Sequence, residues 1–417
     1  MKRIDLTITA QAPLAIGQRK PGGSVSEAMD YIPGSVIRGA IASRILKSST
    51  QIPKAGDDFH ALFLDEQAAV FQNAYPAIAK VGEDEYEIRD GEIAFLPATA
   101  LSSKTDSGFK PNKAGVFDSL IDSFCAREHG LFYEPNNIKG DRVESFSGFY
   151  SKAGNCYSSH SVSKRLLTRV GINRRLATAQ EEILYSIEVL NEVQGKKEKV
   201  PTTYRSSILV QDDGDLAEQL SEFIRSNCDR FRLGGSGSRG LGNVTIKAKI
   251  SESANIQESS LKQRIGSFNE KLKERWGFWN AFGVPDPNPL EGRTFFTVNL
   301  QSDAILTEQW QRTMVISEDM LRQFVGLHNA DVTLHMTYSS YDYRSGWNTA
   351  WGLPKDVELI AKMGGVFLFS ISETQQERWY EKLAELELRG VGDRTSEGLG
   401  QIKVCDDFHL IFREDAV

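Results

Sequence analysis

The organisation of the chain is indicated by two short stretches of sequence, SRGLGNV at residues 238–244 and SEGLGQI at residues 396–402. They are 158 residues apart, and each follows further glycines and leads into a strand-like run. A weaker similarity links residues 4–16 with residues 294–306, at an offset of about 290. The two offsets together predict an internal duplication in which the first copy carries roughly 130 additional residues.

Each copy shows the same order of predicted elements. In the first copy a strand near Ile4 precedes a helix at 35–47, and a strand at 183–190 precedes a helix that begins at Asp215. The second copy has predicted strands at 295–300, 332–338 and 366–371, and predicted helices at 317–325 and 374–388. Strand–helix–strand order occurring twice predicts an α+β fold of two ferredoxin-like (RRM-like, split βαβ) domains.

The domain boundaries follow from the same comparison. We expect the first domain at 1–250, with a large insertion at about 48–180 that is polar, loop-rich and aromatic. The segment 251–292 is predicted to be a linker, because it is polar and ends in the proline-rich run PDPNP, which cannot continue a helix or a central strand. The second domain is expected at 293–417.

The composition is that of a globular protein, since 40% of the 417 residues are hydrophobic and 25% are charged. The net charge of −7 excludes a uniformly basic nucleic-acid-binding surface, although a local basic groove remains compatible with it. No apolar run approaches the ~20 residues of a membrane helix, and the first residues lack the apolar centre of a signal peptide. We therefore expect a cytoplasmic protein without a membrane partner.

A phosphate could bind at the start of the first predicted helix. Gly34 follows a proline, and Ser35 is a plausible N-cap residue that precedes Arg38 by one turn. Free N–H groups at a helix start attract anions, so these residues together with Arg38 could bind a phosphate. The alternative is an ordinary helix cap with a solvated arginine.

The glycine-rich run GGSGSRGLG at 234–242 contains five glycines in nine residues. Glycine tolerates positive φ and allows a ligand to approach the backbone N–H groups closely, so Gly235, Gly237 and Gly240 beside Arg239 could hold a phosphodiester backbone. The alternative is a tight connection into a strand. The run is neither a P-loop nor a dinucleotide-binding fingerprint, because no Gly-Lys-Ser/Thr follows and it precedes a strand.

A basic run, KRLLTRVGINRR at 164–175, has five basic residues and no acidic one. In an acidic chain this local excess could form a basic hairpin that lies along RNA. The alternative is a solvated charged face. The candidate contacts are Lys164, Arg165, Arg169, Arg174 and Arg175.

Two Cys-x₃-His pairs lie in the predicted insertion, and together they could form a Cys₂His₂ zinc site. Their spacing is looser than is usual for zinc, so chance placement is the alternative. The residues are Cys125, His129, Cys156 and His160.

Hydrolytic chemistry has weaker candidates. His60 lies beyond the first predicted helix and could act as a general acid or base in RNA cleavage, or could be an ordinary surface histidine. Glu27 and Asp30 precede that helix and could help to hold Mg²⁺ at a phosphodiester, or Asp30 could simply fix a turn.

The motifs quoted above resemble those of the RAMP superfamily of CRISPR-associated proteins. IPGSVIRGA at 32–40 resembles its helix-one signature, and GSRGLG at 237–242 and RTSEGLG at 394–400 resemble its glycine-rich loops. Further details look closest to the Csx-type subunit of subtype III-D effector complexes. These are DY at 30–31, GVFD at 115–118, RVGINR at 169–174 and LYS at 184–186.

The resemblance implies a non-catalytic subunit, without a cofactor, that grips the 5′ handle of the CRISPR RNA. Its partners would be the large polymerase-like signature subunit and the RAMP backbone subunits of the complex. The resemblance places the helix-one motif (Gly34, Ser35, Arg38) and the loop 234–242 with Arg239 against the RNA backbone. In the second copy Arg394 and Thr395 would contact RNA or pack against a neighbour.

One departure from the family concerns the cysteines. Similar proteins often carry paired cysteines in the insertion, whereas this chain has only Cys125 and Cys156, each with a histidine four residues later.

Two other functions stay open from the sequence. One is an endoribonuclease that processes repeat RNA or cleaves target RNA, and the other is a scaffold that contacts only protein.

Overall fold

The structure is a computed structural model, and it describes residues 1–18, 27–49, 53–65, 69–81, 85–173, 178–211, 214–251, 258–348 and 352–417. Within these ranges the α-helices are α1 (Gly34–Ser48), α2 (Asp58–Phe63), α3 (Leu120–Glu128), α4 (Leu216–Ser226), α5 (Glu258–Trp279), α6 (Glu318–Val325) and α7 (Gln376–Arg389). No helix among the described residues is long and apolar enough to cross a membrane.

The first half is built on an antiparallel sheet with α1 and α4 on one face. Its strands, in spatial order, are Phe231–Arg232, Asn243–Ser251, Lys2–Ala10, Thr203–Val210 and Val70–Phe71, and Tyr75–Pro76 also pairs with Thr203–Val210. Alternate residues of the first strand, Ile4, Leu6 and Ile8, are buried in one core with Ile37 of α1 and Leu220 of α4. This is the alternation expected of a strand with one buried face.

The second half has the same strand order around its own sheet. The strands are Val332–Tyr338, Val366–Ser372, Arg293–Leu300 and Ile402–Val404. Its two faces are both covered, because Phe296 packs against Trp379 of α7 (ring centroids 5.9 Å apart) and Phe295 packs against Phe124 of α3 (5.3 Å). The predicted α+β fold of two ferredoxin-like units is confirmed.

The duplication extends to individual backbone hydrogen bonds. Both glycine-rich loops contain one turn of 3₁₀-helix, and the residue before that turn, Ser236 or Arg394, has φ +58° in each. Corresponding donors are 158 residues apart and corresponding acceptors 290 apart. In the first pair of bonds, Gly235 N–H donates to Ala15 O and Asp393 N–H donates to Ile305 O, both at 2.9 Å. In the second pair, Gly242 N–H donates to Pro13 O at 2.9 Å and Gly400 N–H donates to Asp303 O at 2.8 Å.

The predicted strand at 183–190 occupies a different place from the one expected. It is part of Thr178–Leu190, which pairs with Lys164–Asn173 in a two-stranded hairpin, hereafter the long hairpin. In the first sheet, Thr203–Val210 pairs with Lys2–Ala10 instead. The strand itself is confirmed, but its expected place was wrong because an alternating run predicts a strand and does not identify its partner.

The insertion forms two small sheets and joins the second half of the chain. One sheet consists of Val116–Asp118, Ala100–Ser103 and Val143–Ser145, and the other of Tyr86–Ile88, Ile78–Lys80, Cys156–His160, Phe149–Ala153 and Ala94–Phe95. Phe117 and Tyr150 of the insertion share a core with Phe408 and Ile411 near the end of the chain. The strands Val70–Phe71 and Tyr75–Pro76 fall inside the predicted insertion but belong to the first sheet.

Helix α5 occupies most of the segment predicted as a linker. Its buried residues recur at helical spacing and lie in the core of the second half: Leu261, Ile265, Phe268, Leu272 and Trp276. Arg264 of this helix pairs with Glu387 of α7 at 2.8 Å. The segment is therefore a structural layer of the second half as well as a connection.

Four further hairpins complete the described strands. The tip hairpin is defined here as Leu306–Glu308 paired with Gln311–Thr313, and the second hairpin as Tyr341–Arg344 paired with Glu358–Ala361. Trp347–Asn348 with Leu353–Pro354, and Val193–Gln194 with Val200–Pro201, form two shorter ones. Gly17–Gln18 also pairs with Glu27–Ala28.

Candidate nucleic-acid interface

The first glycine-rich loop is tightly packed at its ends and exposed in its middle. A side-chain Cβ at Gly234 would lie 2.5 Å from the carbonyl oxygen of Ala15, and one at Gly242 would lie 2.5 Å from that of Leu233. Both positions therefore require glycine. Gly235 and Gly240 between them are exposed, and Gly237 is half-buried, so this part of the backbone is accessible to a ligand.

Arg239 of this loop contacts Tyr185 of the long hairpin. Its guanidinium carbon lies 5.4 Å from the ring centroid of Tyr185, and its Nη1 donates a hydrogen bond to the tyrosine hydroxyl. Arg169 is directly opposite Tyr185 in the hairpin pairing, so its side chain leaves the same face. We call these three residues the arginine–tyrosine cluster.

The long hairpin is fixed to the loop by a small apolar core. Val189 of the hairpin, Ala15 and Leu241 are buried together, with Leu167 and Ile187 packed against them. The opposite face of the same strand exposes large apolar side chains: Leu166, Val170 and Ile172. The hairpin thus presents one face to the loop and a second, apolar face to solvent.

The basic run on this hairpin is only partly available for RNA. Lys164 Nζ lies 2.8 Å from the Asp30 carboxylate, and Arg165 lies 2.9 Å from that of Glu192. Within the described chain Arg169 has no ion pair, so its charge is not offset. Arg174 and Arg175 lie outside the described residues.

The start of α1 is covered by protein, which corrects the predicted phosphate site. Gly34 N–H donates to Asn73 Oδ1 at 2.8 Å, and the N-cap position is Pro33 instead of Ser35. A Cβ at Gly34 would lie 1.8 Å from the carbonyl oxygen of Phe71, so only glycine fits. A phosphate would have to displace Asn73 to reach this N–H group.

Arg38 is also engaged inside the first half. Its guanidinium donates to the carbonyl oxygen of Phe63 and lies 5.9 Å from the centroid of that ring. Ser35 is half-buried in the first turn of the same helix. The predicted group of Gly34, Ser35 and Arg38 therefore serves packing in this structure.

The second glycine-rich loop is what covers the start of α1. A Cβ at Gly398 would lie 2.6 Å from Asn73 Oδ1 and 2.8 Å from the Phe71 carbonyl oxygen. Arg394 pairs with Glu397 at 2.6 Å, and Thr395 is half-buried between them. Arg394 is exposed and pairs within its own loop, so both predicted roles of Arg394 and Thr395, contact with RNA and packing against a neighbour, stay predictions.

The charges of this second loop are mutually compensated. Burial acts to raise the pKa of the Glu397 carboxyl, but hydrogen bonds and charge from Arg394, with further charge from Lys355 and Arg38, lower it overall. The loop is thus an internal joint between the halves, whereas its counterpart at 234–242 faces solvent.

The four candidate zinc ligands are not brought together. Burial raises the pKa of the Cys125 thiol to about 12, and this residue lies in the core beside α5. His129 contacts the Cys125 carbonyl oxygen and Asn280 through its two ring nitrogens, while His160 contacts Ser151. Cys156 is exposed on a strand of the insertion. Among the described residues there is no group of three or more potential metal ligands.

The candidate catalytic residues are held by neighbouring charges. His60 Nδ1 lies 2.5 Å from the Asp65 carboxylate, and Asp57 caps the start of their short helix α2. Asp30, which was considered as a Mg²⁺ ligand together with Glu27, is paired with Lys164. None of these side chains contacts the arginine–tyrosine cluster in the described part of the chain.

A cavity of about 440 Å³ between the halves was not anticipated from the sequence. Tyr31, Phe95 and Phe149 line it together with charged side chains that include Lys164 and Asp303. Tyr185 was also not singled out as a contact residue. The cavity depends on segments distant in sequence that no local pattern marks, whereas Tyr185 belongs to the LYS stretch at 184–186 already quoted for the family resemblance.

Comparison with known proteins identifies one family. A model described as the RAMP superfamily matches residues 7–245, more than half of the chain. No curated protein matches this sequence significantly.

The similar solved structures are distant. A chain in the cryo-EM structure of the type III-B Cmr-beta bound to cognate target RNA and AMPPnP is 11% identical, with a TM-score of 0.37. The match covers 91% of this chain and 93% of that chain. Cmr4 from Pyrococcus furiosus is 14% identical, with a TM-score of 0.25, covering 60% and 99%. A chain of a type IV-B CRISPR complex is 12% identical, with a TM-score of 0.25, covering 60% and 91%.

Proposed function

Because the chain belongs to the RAMP superfamily, we propose that it is a non-catalytic, RNA-binding subunit of a type III-D CRISPR–Cas antiviral effector complex. In this proposal it grips the 5′ handle of the CRISPR RNA. It also bridges the large polymerase-like signature subunit to the RAMP backbone subunits. The subtype and the handle rest on the sequence motifs, whereas the RNA-binding surface rests on contacts between described residues.

The arginine–tyrosine cluster is the observation that carries the proposal. Arg169 lies opposite Tyr185 in the long hairpin, and the Arg239 guanidinium contacts Tyr185 beside an exposed glycine backbone. Single-stranded RNA is held by cations on its phosphates and by aromatic or guanidinium planes on its unstacked bases. The cluster offers both kinds of contact, and the backbone N–H groups of the loop add donors for phosphate oxygens.

Local charge supports the same surface. Arg232 is exposed at the edge of the loop and lies 3.4 Å from the carbonyl oxygen of Gly237, which brings a third guanidinium close to Arg239. The chain as a whole carries a net charge of −7. A positive surface on an acidic protein directs a polyanion to one place.

The proposal treats the chain as non-catalytic. A general base in RNA cleavage must reach the attacking hydroxyl, and His60, which pairs with Asp65, makes no contact with the arginine–tyrosine cluster among the described residues. We therefore expect incubation with repeat RNA or target RNA to return the RNA intact, with or without Mg²⁺. Cleavage that is lost in H60A, or that is sensitive to EDTA, would favour the endoribonuclease alternative.

The binding test removes the two arginines of the cluster together. For R169A/R239A we expect the affinity for handle RNA to fall about tenfold or more. The slope of log K against log salt should decrease by roughly 1.4, which is about 0.7 for each phosphate contact to a single strand. Fluorescence anisotropy at several salt concentrations measures both quantities.

The control has the same net charge as the test variant. Arg378 and Arg389 are exposed on α7, so R378A/R389A removes two positive charges far along the chain from the cluster. We expect it to bind with wild-type affinity and slope. Equal losses in both double variants would mean that overall charge, and not this surface, determines binding.

A further inference from the structure

The tip hairpin presents a tryptophan entirely to solvent. Trp310 lies in the two-residue turn between Leu306–Glu308 and Gln311–Thr313, and 99% of it is exposed. A side chain so exposed contributes no packing to its own fold. Burial of an aromatic ring is strongly favourable, so the exposure of the Trp310 ring to water requires an explanation.

The backbone that carries this tryptophan is strained. Gln309 has φ +47° and Trp310 has φ +68°, so two consecutive residues with side chains lie in the left-handed region. Two-residue hairpins use this turn, but they favour Asn-Gly or another sequence with glycine. Strain without an internal contact points to a function outside the chain.

The hairpin is held rigidly at its base. Leu306 is fully buried in the core of the second half. Arg312 pairs with Asp393 at 2.6 Å and with Glu358 at 2.8 Å, and Ser317 donates a hydrogen bond to Glu308. The tryptophan is therefore presented in a fixed position, which lowers the entropy cost of an intermolecular contact.

Charge distinguishes between two kinds of partner. Three carboxylates, Glu308, Glu358 and Asp393, surround the base of the tip hairpin, and Arg312 is the basic residue paired with two of them. A net negative surface repels the phosphates of RNA. It complements a protein surface with basic residues around an apolar pocket.

We propose that Trp310 anchors this chain to another protein subunit by inserting into an apolar pocket with a basic rim. The inference rests on the proposed function, since the partner is taken to be the signature subunit or a RAMP backbone subunit of the same effector complex. Buried tryptophans are the commonest energetic anchors of protein interfaces. The surface is separate from the arginine–tyrosine cluster, which belongs to the first half.

The test compares W310A with F132A in association with each purified subunit of the complex. Phe132 is 94% exposed and lies in the insertion, so F132A removes a similar aromatic surface elsewhere. We expect W310A to weaken association with one of these subunits at least tenfold, and F132A to change it less than twofold. Biolayer interferometry measures the affinities, and circular dichroism establishes that both variants are folded.

Binding of handle RNA by the isolated chain separates the two proposals. We expect W310A to bind this RNA within twofold of the wild type. Unchanged association of W310A with all subunits would overturn the inference. So would failure of the wild type to bind any of them, or a tenfold loss of RNA affinity in W310A with association intact. If the wild type does not bind handle RNA, the proposed function itself fails.

Discussion

At the level of single residues, three of the arginines named from the sequence have different kinds of partner. Arg239 donates a hydrogen bond to the Tyr185 hydroxyl at the surface, Arg38 donates one to the carbonyl oxygen of Phe63, and Arg394 pairs with Glu397. All three precede or follow glycines in the family motifs, so residue type alone does not separate them. Their difference lies in which neighbour supplies an oxygen or a ring, and that is a property of the tertiary structure.

His160 shows how burial makes a residue sensitive to pH. Its Nε2 is 2.7 Å from Ser151 Oγ, and burial lowers its pKa to about 4, from a usual value near 6.5. The unfolded chain therefore binds this proton at a higher pH than the folded protein does. As the pH falls from 6.5 towards 4, the stability linked to neutral His160 is lost.

We predict that the wild type loses about 2 kcal/mol more unfolding free energy between pH 7 and pH 5 than H160Q does. Urea unfolding at several pH values measures this difference. The matched control is H328Q, because His328 is exposed. Its stability should follow that of the wild type over the same range, and parallel curves for H160Q and the wild type would contradict the assignment.

At the level of elements, the second half was predicted well from its sequence. The predicted strand 332–338 coincides with Val332–Tyr338, and the predicted helix 317–325 contains α6, which Ser317 caps. Its elements are amphipathic and carry clear start and stop signals. In the first half the same reasoning assigned part of the long hairpin to the sheet. The strand that actually pairs there with Lys2–Ala10 is Thr203–Val210, and it follows more than 100 residues of insertion.

The close packing around Gly34, at the start of α1, gives a specific stability test. In G34A the new methyl group would overlap the carbonyl oxygens of Phe71 and Glu397, 1.8 and 2.8 Å away. Because both are backbone atoms, we predict a loss of unfolding free energy of about 3 kcal/mol. Chemical denaturation measures it.

The control lies on the same helix. Gly39 is exposed and has no atom within 4 Å of its would-be Cβ, so G39A should stabilise the protein by about 1 kcal/mol through helix propensity. If G34A and G39A changed stability by the same amount in the same direction, the close packing of Gly34 against the carbonyl oxygens of Phe71 and Glu397 would be wrong.

At the scale of the whole molecule, the two copies have the same backbone but different surroundings. The loop at 234–242 faces solvent, whereas its counterpart at 394–400 closes onto α1 of the first half. The sequence predicted both loops and the duplication, because glycines mark positions that the backbone geometry requires. It did not predict which loop is covered, since this depends on how the halves pack.

The packing of the insertion and of α5 also depends on the tertiary structure. The insertion was expected in the first domain and α5 in a linker, yet α3 of the insertion and α5 pack together in the core of the second half. Asp122 of α3 accepts hydrogen bonds from Arg275 and Trp279 of α5. The proposed RNA-binding surface of the first half and the tip hairpin of the second are thereby carried on one packed body.

The central claim is that RNA lies on the long hairpin and the first glycine-rich loop, and it is tested most directly by cross-linking. Handle RNA that contains 4-thiouridine would be irradiated with the purified chain, and the linked peptides identified by mass spectrometry. We predict cross-links within 164–190 and 234–242 and none within 394–400. Cross-links confined to 394–400 or to the start of α1, with none on the long hairpin, would contradict the account.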